Sequence, residues 1–386
     1  MISKYLHYAK PVLIWFCSFT AFGLFFSLIA LFYSANRLDF VIKSMPVNVM
    51  WPILYGLILP LIRSERVVSL LQKTMIVATG YISLYLILSA LSFLGLIPLS
   101  PSIFSSARPV IGKYDASVQL FLPSTTALLF LVPFLLSYFL LQIYTLDRVK
   151  PLFLIVVLIL GIGAIIITAR RALMLNLFVS PILLYLFLSL TKTNLTNRVK
   201  RKLFILLTSF IVIAIVGSIV LIRYEILNIE PLMELFVSGF DFSKNSADEG
   251  SIARAEQSVG LIRSWQDNPV FGSGLGSSSE YVIRSEATPW VYELSYLALL
   301  FQTGTFGAVI YFTLLGWIFY SGIVLVRKNK KFVFLIPILI GSFCFLLGNA
   351  SNPYLIAFDH MWAIFLPLAF VNYCYTSNIY LVPHAK

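Results

Sequence analysis

Long apolar runs, broken at intervals by short clusters of charge, set the layout of this chain. A membrane-crossing helix needs about 20 predominantly apolar residues. Ten segments approach that requirement, at 11–33, 45–62, 74–97, 119–144, 151–169, 172–190, 203–222, 296–326, 332–348 and 361–377. The fifth and sixth meet in a hairpin at TARRAL, residues 168–173, which leaves almost no loop. The first follows Lys4 and Lys10 and exceeds the roughly 7–15 apolar residues of a cleaved signal core, so it is expected to stay as an anchor. The pattern predicts an all-α polytopic membrane protein with about ten transmembrane helices. Residues 1–386 are read as one integral membrane domain, with one large loop at 223–293 that contains amphipathic helix.

Composition agrees: of 386 residues, 59% are hydrophobic and 11% charged, with a mean hydropathy of +0.92, whereas a soluble domain is about 25% charged. The net charge of +12 would suggest nucleic-acid binding in a soluble protein. In a membrane protein its distribution matters more, and no nucleic-acid partner is expected. Counted over alternate loops, one side holds 17 of the 28 basic residues and two of the 16 acids, Glu65 and Asp147. Basic loops stay in the cytoplasm, so both termini are expected there and the 223–293 loop outside. The cysteines, Cys17, Cys344 and Cys374, sit in apolar runs and read as packing residues. With histidine only at His7, His360 and His384, a zinc site lacks ligands, and no metal is expected.

The external loop is where function is expected. Its stretch NPVFGSGLGSSSE, residues 268–280, has glycine at Gly272, Gly274 and Gly276, which suits a close backbone approach to a ligand such as a phosphate. A dinucleotide fingerprint needs a strand before such a run and a helix after it. No strand pattern precedes it, and an external loop meets no nucleotide pool. Ahead of the glycines, SIARAEQSVGLIRSWQDNP reads as an amphipathic helix. Ser251 is its expected cap, Pro269 lies beyond its end, and Ile252, Ala255, Val259 and Ile262 recur at helical spacing. Arg254 and Arg263, nine residues apart, point to opposite faces. Arg263 has Asp267 at i+4 as an expected surface partner, whereas Arg254 has no acid at i±4 and is the functional candidate.

Four further features stand at the outer ends of spans. Arg170 and Arg171 occupy the hairpin, against the positive-inside tendency, and guanidinium forks suit a pyrophosphate. Glu293 stands at the mouth of the eighth span, either as a functional carboxylate or as the partner of a loop arginine. Gly304 and Gly307 read as close helix packing. Asp359 and His360 open the last span, while Glu225, Glu230 and Glu234 read as solvated or loop-bracing residues.

Three signatures in order, ITARRAL, RAEQSVGLIRSWQDNPVFGSGLG and YLALLFQTGTFG, resemble the O-antigen ligase and polymerase superfamily of bacterial envelopes, over about residues 170–307. The resemblance implies a glycosyltransferase of the inner membrane with a periplasmic active site and no cofactor. Its substrates would be oligosaccharides carried on undecaprenyl pyrophosphate, as both donor and acceptor. The bilayer and, in such systems, a polysaccharide chain-length regulator are the further partners it suggests. It places pyrophosphate-binding arginines on Arg170 or Arg171 and on Arg254, with Arg263 of the same motif a further pyrophosphate-binding candidate and Gly272, Gly274 and Gly276 near the substrate. The ligases' histidine falls on Glu293, since Tyr296 and Leu297 hold the Tyr-Leu positions, and the adjoining asparagine is replaced by Leu294. That departure favours the polymerase branch, with Glu293 as general base. A ligase passing polymer to lipid A core is the nearest alternative, and a lipid-linked oligosaccharide flippase is the alternative of another class.

Overall fold

The computed structural model describes residues 8–33, 38–93, 96–98, 108–111, 118–121, 123–145, 151–168, 170–192, 249–357 and 360–381. The protein is a polytopic, overwhelmingly helical membrane protein. Seven helices among the described residues are long and apolar enough to cross a membrane. They cover the first, second, third, fourth, sixth, eighth and ninth predicted spans. The fifth is a shorter apolar helix, the tenth coincides with the helix Trp362–Leu381, and the seventh, 203–222, lies outside the described residues. Helix is the form a bilayer permits, because no water is present there to satisfy open backbone groups.

The chain divides into two compact units. One comprises Met1–Leu71 and Glu249–Lys386. It contains α1 (Lys10–Tyr33), α2 (Leu38–Met45), a π-helical turn (Pro46–Met50), α3 (Trp51–Ile58) and the first turns of α4 (Glu65–Phe93). From Glu249 it continues with α8 (Glu249–Asp267), α9 (Ser295–Lys328), α10 (Leu335–Asn349) and α11 (Trp362–Leu381). The other unit, Gln72–Asp248, holds the rest of α4, a hairpin of β1 (Arg108–Ile111) and β2 (Val118–Phe121), then α5 (Leu128–Thr145), α6 (Pro151–Thr168) and α7 (Arg171–Leu190).

Two boundaries differ from the apolar pattern. The fourth span was expected from residue 119, but Val118–Phe121 pairs antiparallel with Arg108–Ile111, Phe121 opposite Arg108. Pro123, with no N–H to give a ladder, then starts a 3-10 turn, and the α-helix begins at Leu128. The second span begins earlier than residue 45: α2 opens at Leu38, and Asp39 and Lys43 sit one turn apart on it, 3.8 Å from each other. Pro46 and Pro52 are absorbed by the π-turn and the first turn of α3.

In the first unit an aromatic seam joins α1 to α9. Trp15 stacks on Phe19 with centroids 4.9 Å apart, Phe19 and Phe22 lean on Tyr311, and Trp15 Nε1 donates to the Leu314 carbonyl at 2.6 Å. Gly307 allows this approach: a Cβ there would meet the Phe26 ring. Cys344 and Cys374 are buried, as packing residues should be, but Cys17 is exposed on α1. In a helix whose outer surface is itself apolar, an apolar run does not mark which side faces the protein.

Candidate functional site

Helix α8 positions the first functional side chain. It begins at Glu249, so Ser251 lies inside its first turn instead of capping it, and it stops at Asp267, short of Pro269. The expected apolar face is turned outward: Val259 is 53% and Ile262 41% exposed. The inward face carries Gln257, Gly260, Leu261 and Ser264, all buried. Leu261 packs in a core with Tyr292, Ala298 and Phe301, and a Cβ on Gly260 would strike the Val282 side chain. The polar members of this face are satisfied by the following loop, Ser264 Oγ lying 2.6 Å from Ser279 Oγ. The Tyr292 hydroxyl accepts from Ser279 N at 2.7 Å, and burial pushes its pKa up to about 12.

Arg254 and Gln257, one turn apart on α8, both reach Glu293, two residues before α9 begins. Gln257 Oε1 accepts from the backbone N–H of Glu293 at 3.0 Å. Arg254 donates its Nε–H to Glu293 Oε2 at 2.8 Å. On the other side of the carboxylate, Arg284 Nη2 lies 3.1 Å from Oε1. Two guanidiniums against one carboxylate leave the cluster with one net positive charge. All three side chains are partly exposed, 34%, 38% and 22% for Arg254, Arg284 and Glu293. Exposed pairs contribute about 0.2–1 kcal/mol, so folding stability alone is a weak reason for this cluster. Arg254 uses Nε alone, and its two terminal amino groups have no partner among the described residues. A carboxylate offers about four lone-pair directions, which leaves room on Glu293 for an incoming hydroxyl.

The glycine run approaches backbone of this protein. Gly272, Gly274 and Gly276 are buried and have φ of +67°, +92° and +94°. A Cβ at these positions would collide with Gln302 and Gly304 of α9, with Ala30 of α1 and with Ser44 of α2 respectively. Gly304, read from sequence as a helix-packing glycine, is instead a break within α9, with φ +63° and ψ −177°. The loop fills the break. Ser273 N donates to Phe301 O at 3.2 Å and Gly274 N to Gln302 O at 2.7 Å. Beyond the break, Thr305 N donates to Pro269 O at 2.8 Å and Phe306 N to Val270 O at 3.0 Å. Backbone groups freed by a broken helix need other partners, and here residues 269–274 supply them.

Beside this splice lies a cavity of about 260 Å³, bounded by α1, α2, the π-turn, the 288–291 segment, α9 and the region around Asn349 and Met361. Leu275 and Gly276 line it, as do Val291 and Ser295, which bracket Glu293 at two residues on either side.

No family model, curated protein or solved structure matches the chain.

The remaining predicted residues are distributed as follows. Arg263 is exposed, and among the described residues it forms no ion pair with Asp267. Asp267 instead faces the Tyr281 hydroxyl, raising that tyrosine's pKa through its charge and a hydrogen bond. Arg170 is partly buried and takes the N-cap position of α7, its carbonyl accepting from Leu173 N and Met174 N. Arg171 opens α7, and its side chain lies outside the described residues. Tyr296 donates to Leu346 O at 2.6 Å. His360 is buried and packs in a triangle with the rings of Phe345 and Tyr354. Asp359, Glu225, Glu230 and Glu234 lie outside the described residues. Sequence reading passed over Arg284, Gln257 and Gln302, whose partners lie nine to 36 residues away, beyond the reach of helical periodicity.

Proposed function

We propose that the protein is a bacterial envelope glycosyltransferase that polymerises oligosaccharide repeat units carried on undecaprenyl pyrophosphate. On this reading it acts at the periplasmic face of the inner membrane, with the 223–293 loop outside and both termini cytoplasmic. The observation that carries the proposal is the ion pair between Arg254 and Glu293. It joins the arginine of the loop signature to the carboxylate that stands where the related ligases have histidine.

The reaction would break the bond between the anomeric carbon of the donor glycan and its pyrophosphate oxygen. A bond forms from the acceptor's sugar hydroxyl to the same carbon, the hydroxyl proton passes to Glu293, and the lipid pyrophosphate departs. A single displacement inverts the anomeric centre. Charge gathers on the leaving group, where fixed guanidiniums stabilise it more in the transition state than in the ground state. Arg254, through its terminal amino groups, takes that role, while Arg284 holds Glu293 from its other oxygen. The carboxylate in place of histidine favours polymerisation over ligation.

Complementation of a polymerase-null strain tests the assignments. Arg254→Ala and Glu293→Gln should each abolish polymer while the protein stays inserted and abundant. Arg284→Ala should reduce polymer, and Arg284→Lys should restore part of it. Normal polymer from Glu293→Gln would remove the base from the scheme.

A further inference from the structure

The cavity beside the helix break is lined by aromatic residues and by residues that carry carboxamides. Its volume of about 260 Å³ falls just below the roughly 300–1,000 Å³ of pockets for drug-sized ligands. A single sugar ring is on that scale, and a polyprenyl chain is far beyond it. Trp290, Tyr296 and Tyr311 are among its lining residues, and aromatic rings suit the C–H faces of a pyranose. Asn48 and Gln302, which carry carboxamides, are also among the lining residues. Gln302 spends its Nε2 on the carbonyls of Ser277 and Trp290, at 3.1 and 3.2 Å. Its Oε1 has no hydrogen-bond partner among the described residues, and neither does the Asn48 side chain. Together they offer a donor and two acceptors, the complement of a vicinal diol. Lys43 is the one charged residue in the lining, and no carboxylate is present there among the described residues.

Asn48 owes its place to an irregular backbone. It sits in the π-turn Pro46–Met50, a form that is rare and is concentrated at functional sites. The turn lies directly against α1: a Cβ on Gly23 would strike the Asn48 carbonyl. Two independent features, an irregular turn and unspent amide groups, thus converge on one cavity.

We propose that this cavity seats one sugar ring of the substrate, oriented by Asn48 and Gln302 between the aromatic walls. The assignment rests on the glycosyl-transfer reading and deepens it. Val291 and Ser295, which line the cavity, bracket Glu293 in sequence, while Glu293 itself is not among the lining residues.

The test is saturation-transfer NMR on the purified full-length protein in detergent, with free hexoses, N-acetylhexosamines and hexuronic acids as probes. At least one of these should give a saturable signal. Asn48→Ala should weaken its binding roughly tenfold, the loss of about 1.4 kcal/mol, without changing the melting temperature. Ala298→Phe, which fills the cavity, should abolish the signal. The proposal is overturned if no probe gives a saturable signal, if the signal survives both substitutions, or if undecaprenyl phosphate competes for it. A parallel polymerisation assay separates the two ideas. Polymer without sugar binding removes the cavity assignment alone, whereas saturable, Asn48-dependent binding without polymer supports the cavity and removes the glycosyl-transfer reading.

Discussion

Replacing Gly304 with alanine perturbs the junction of the loop and α9 at one point. The residue sits at φ +63° and ψ −177°, a region essentially reserved for glycine, where another residue costs of order 1–3 kcal/mol. The new Cβ would also overlap the carbonyl group of Val270 and approach the Gly272 nitrogen. Relieving that overlap moves residues 270–272, between the donors and acceptors that span the break. Four backbone hydrogen bonds cross it, from Ser273, Gly274, Thr305 and Phe306. At about 0.5–1.5 kcal/mol each, their loss adds about 2–6 kcal/mol. Gly304→Ala should therefore destabilise the protein by at least about 3 kcal/mol. Gly316→Ala, in the same helix, is the control. No heavy atom lies within 4 Å of a Cβ built there, so it should stabilise by about 0.4–1 kcal/mol through the unfolded chain. Equilibrium denaturation in mixed micelles, followed by circular dichroism, compares the two. Equal stability of the two variants would refute the strapped break.

The same assay checks the reversed face of α8: Leu261→Ala should cost about 2–5 kcal/mol, and Val259→Ala no more than about 0.5. If Val259 proves the costlier, α8 is packed the other way round. Tyr292→Phe strands the buried N–H of Ser279 and should lower stability by about 1–3 kcal/mol; an unchanged denaturation midpoint would contradict that hydrogen bond. In detergent, the lipid-soluble N-phenylmaleimide should label the outward-facing Cys17 of the native protein, with Cys344 and Cys374 reacting only after denaturation. Mass spectrometry of tryptic peptides reads out the order.

Apolar run length located most of the described helices, because the bilayer leaves few other ways to satisfy a backbone. It failed to orient them. In α8 the stripe of Val259 and Ile262 looks like a core face, yet the core side is Gln257, Gly260, Leu261 and Ser264. Hydrophobicity in such a chain separates hydrocarbon from water as much as inside from outside. The polar residues of α8 find partners 15 and 36 residues further on, a distance over which periodicity carries no information. The glycine triplet was legible as a demand for close approach, but its object, backbone of α1, α2 and α9, was not. Gly304 looked like helix packing because its counterpart, the 269–274 segment, is distant in sequence. Arg254 and Glu293 could be picked out separately, one for lacking a local acid and the other for standing at a span mouth. Arg284 carried no such mark, since its only ion pair among the described residues is with a residue nine positions on.

The central claim is glycosyl transfer between lipid-linked repeat units. Its most direct test is incubation of purified protein with a synthetic undecaprenyl-pyrophosphate repeat unit, without nucleotide, and separation of the products on a gel. The account predicts a ladder at multiples of the repeat, absent with Arg254→Ala and with Glu293→Gln. An unchanged single band with the wild-type protein, or the same substrate moved intact across a vesicle membrane, would contradict it.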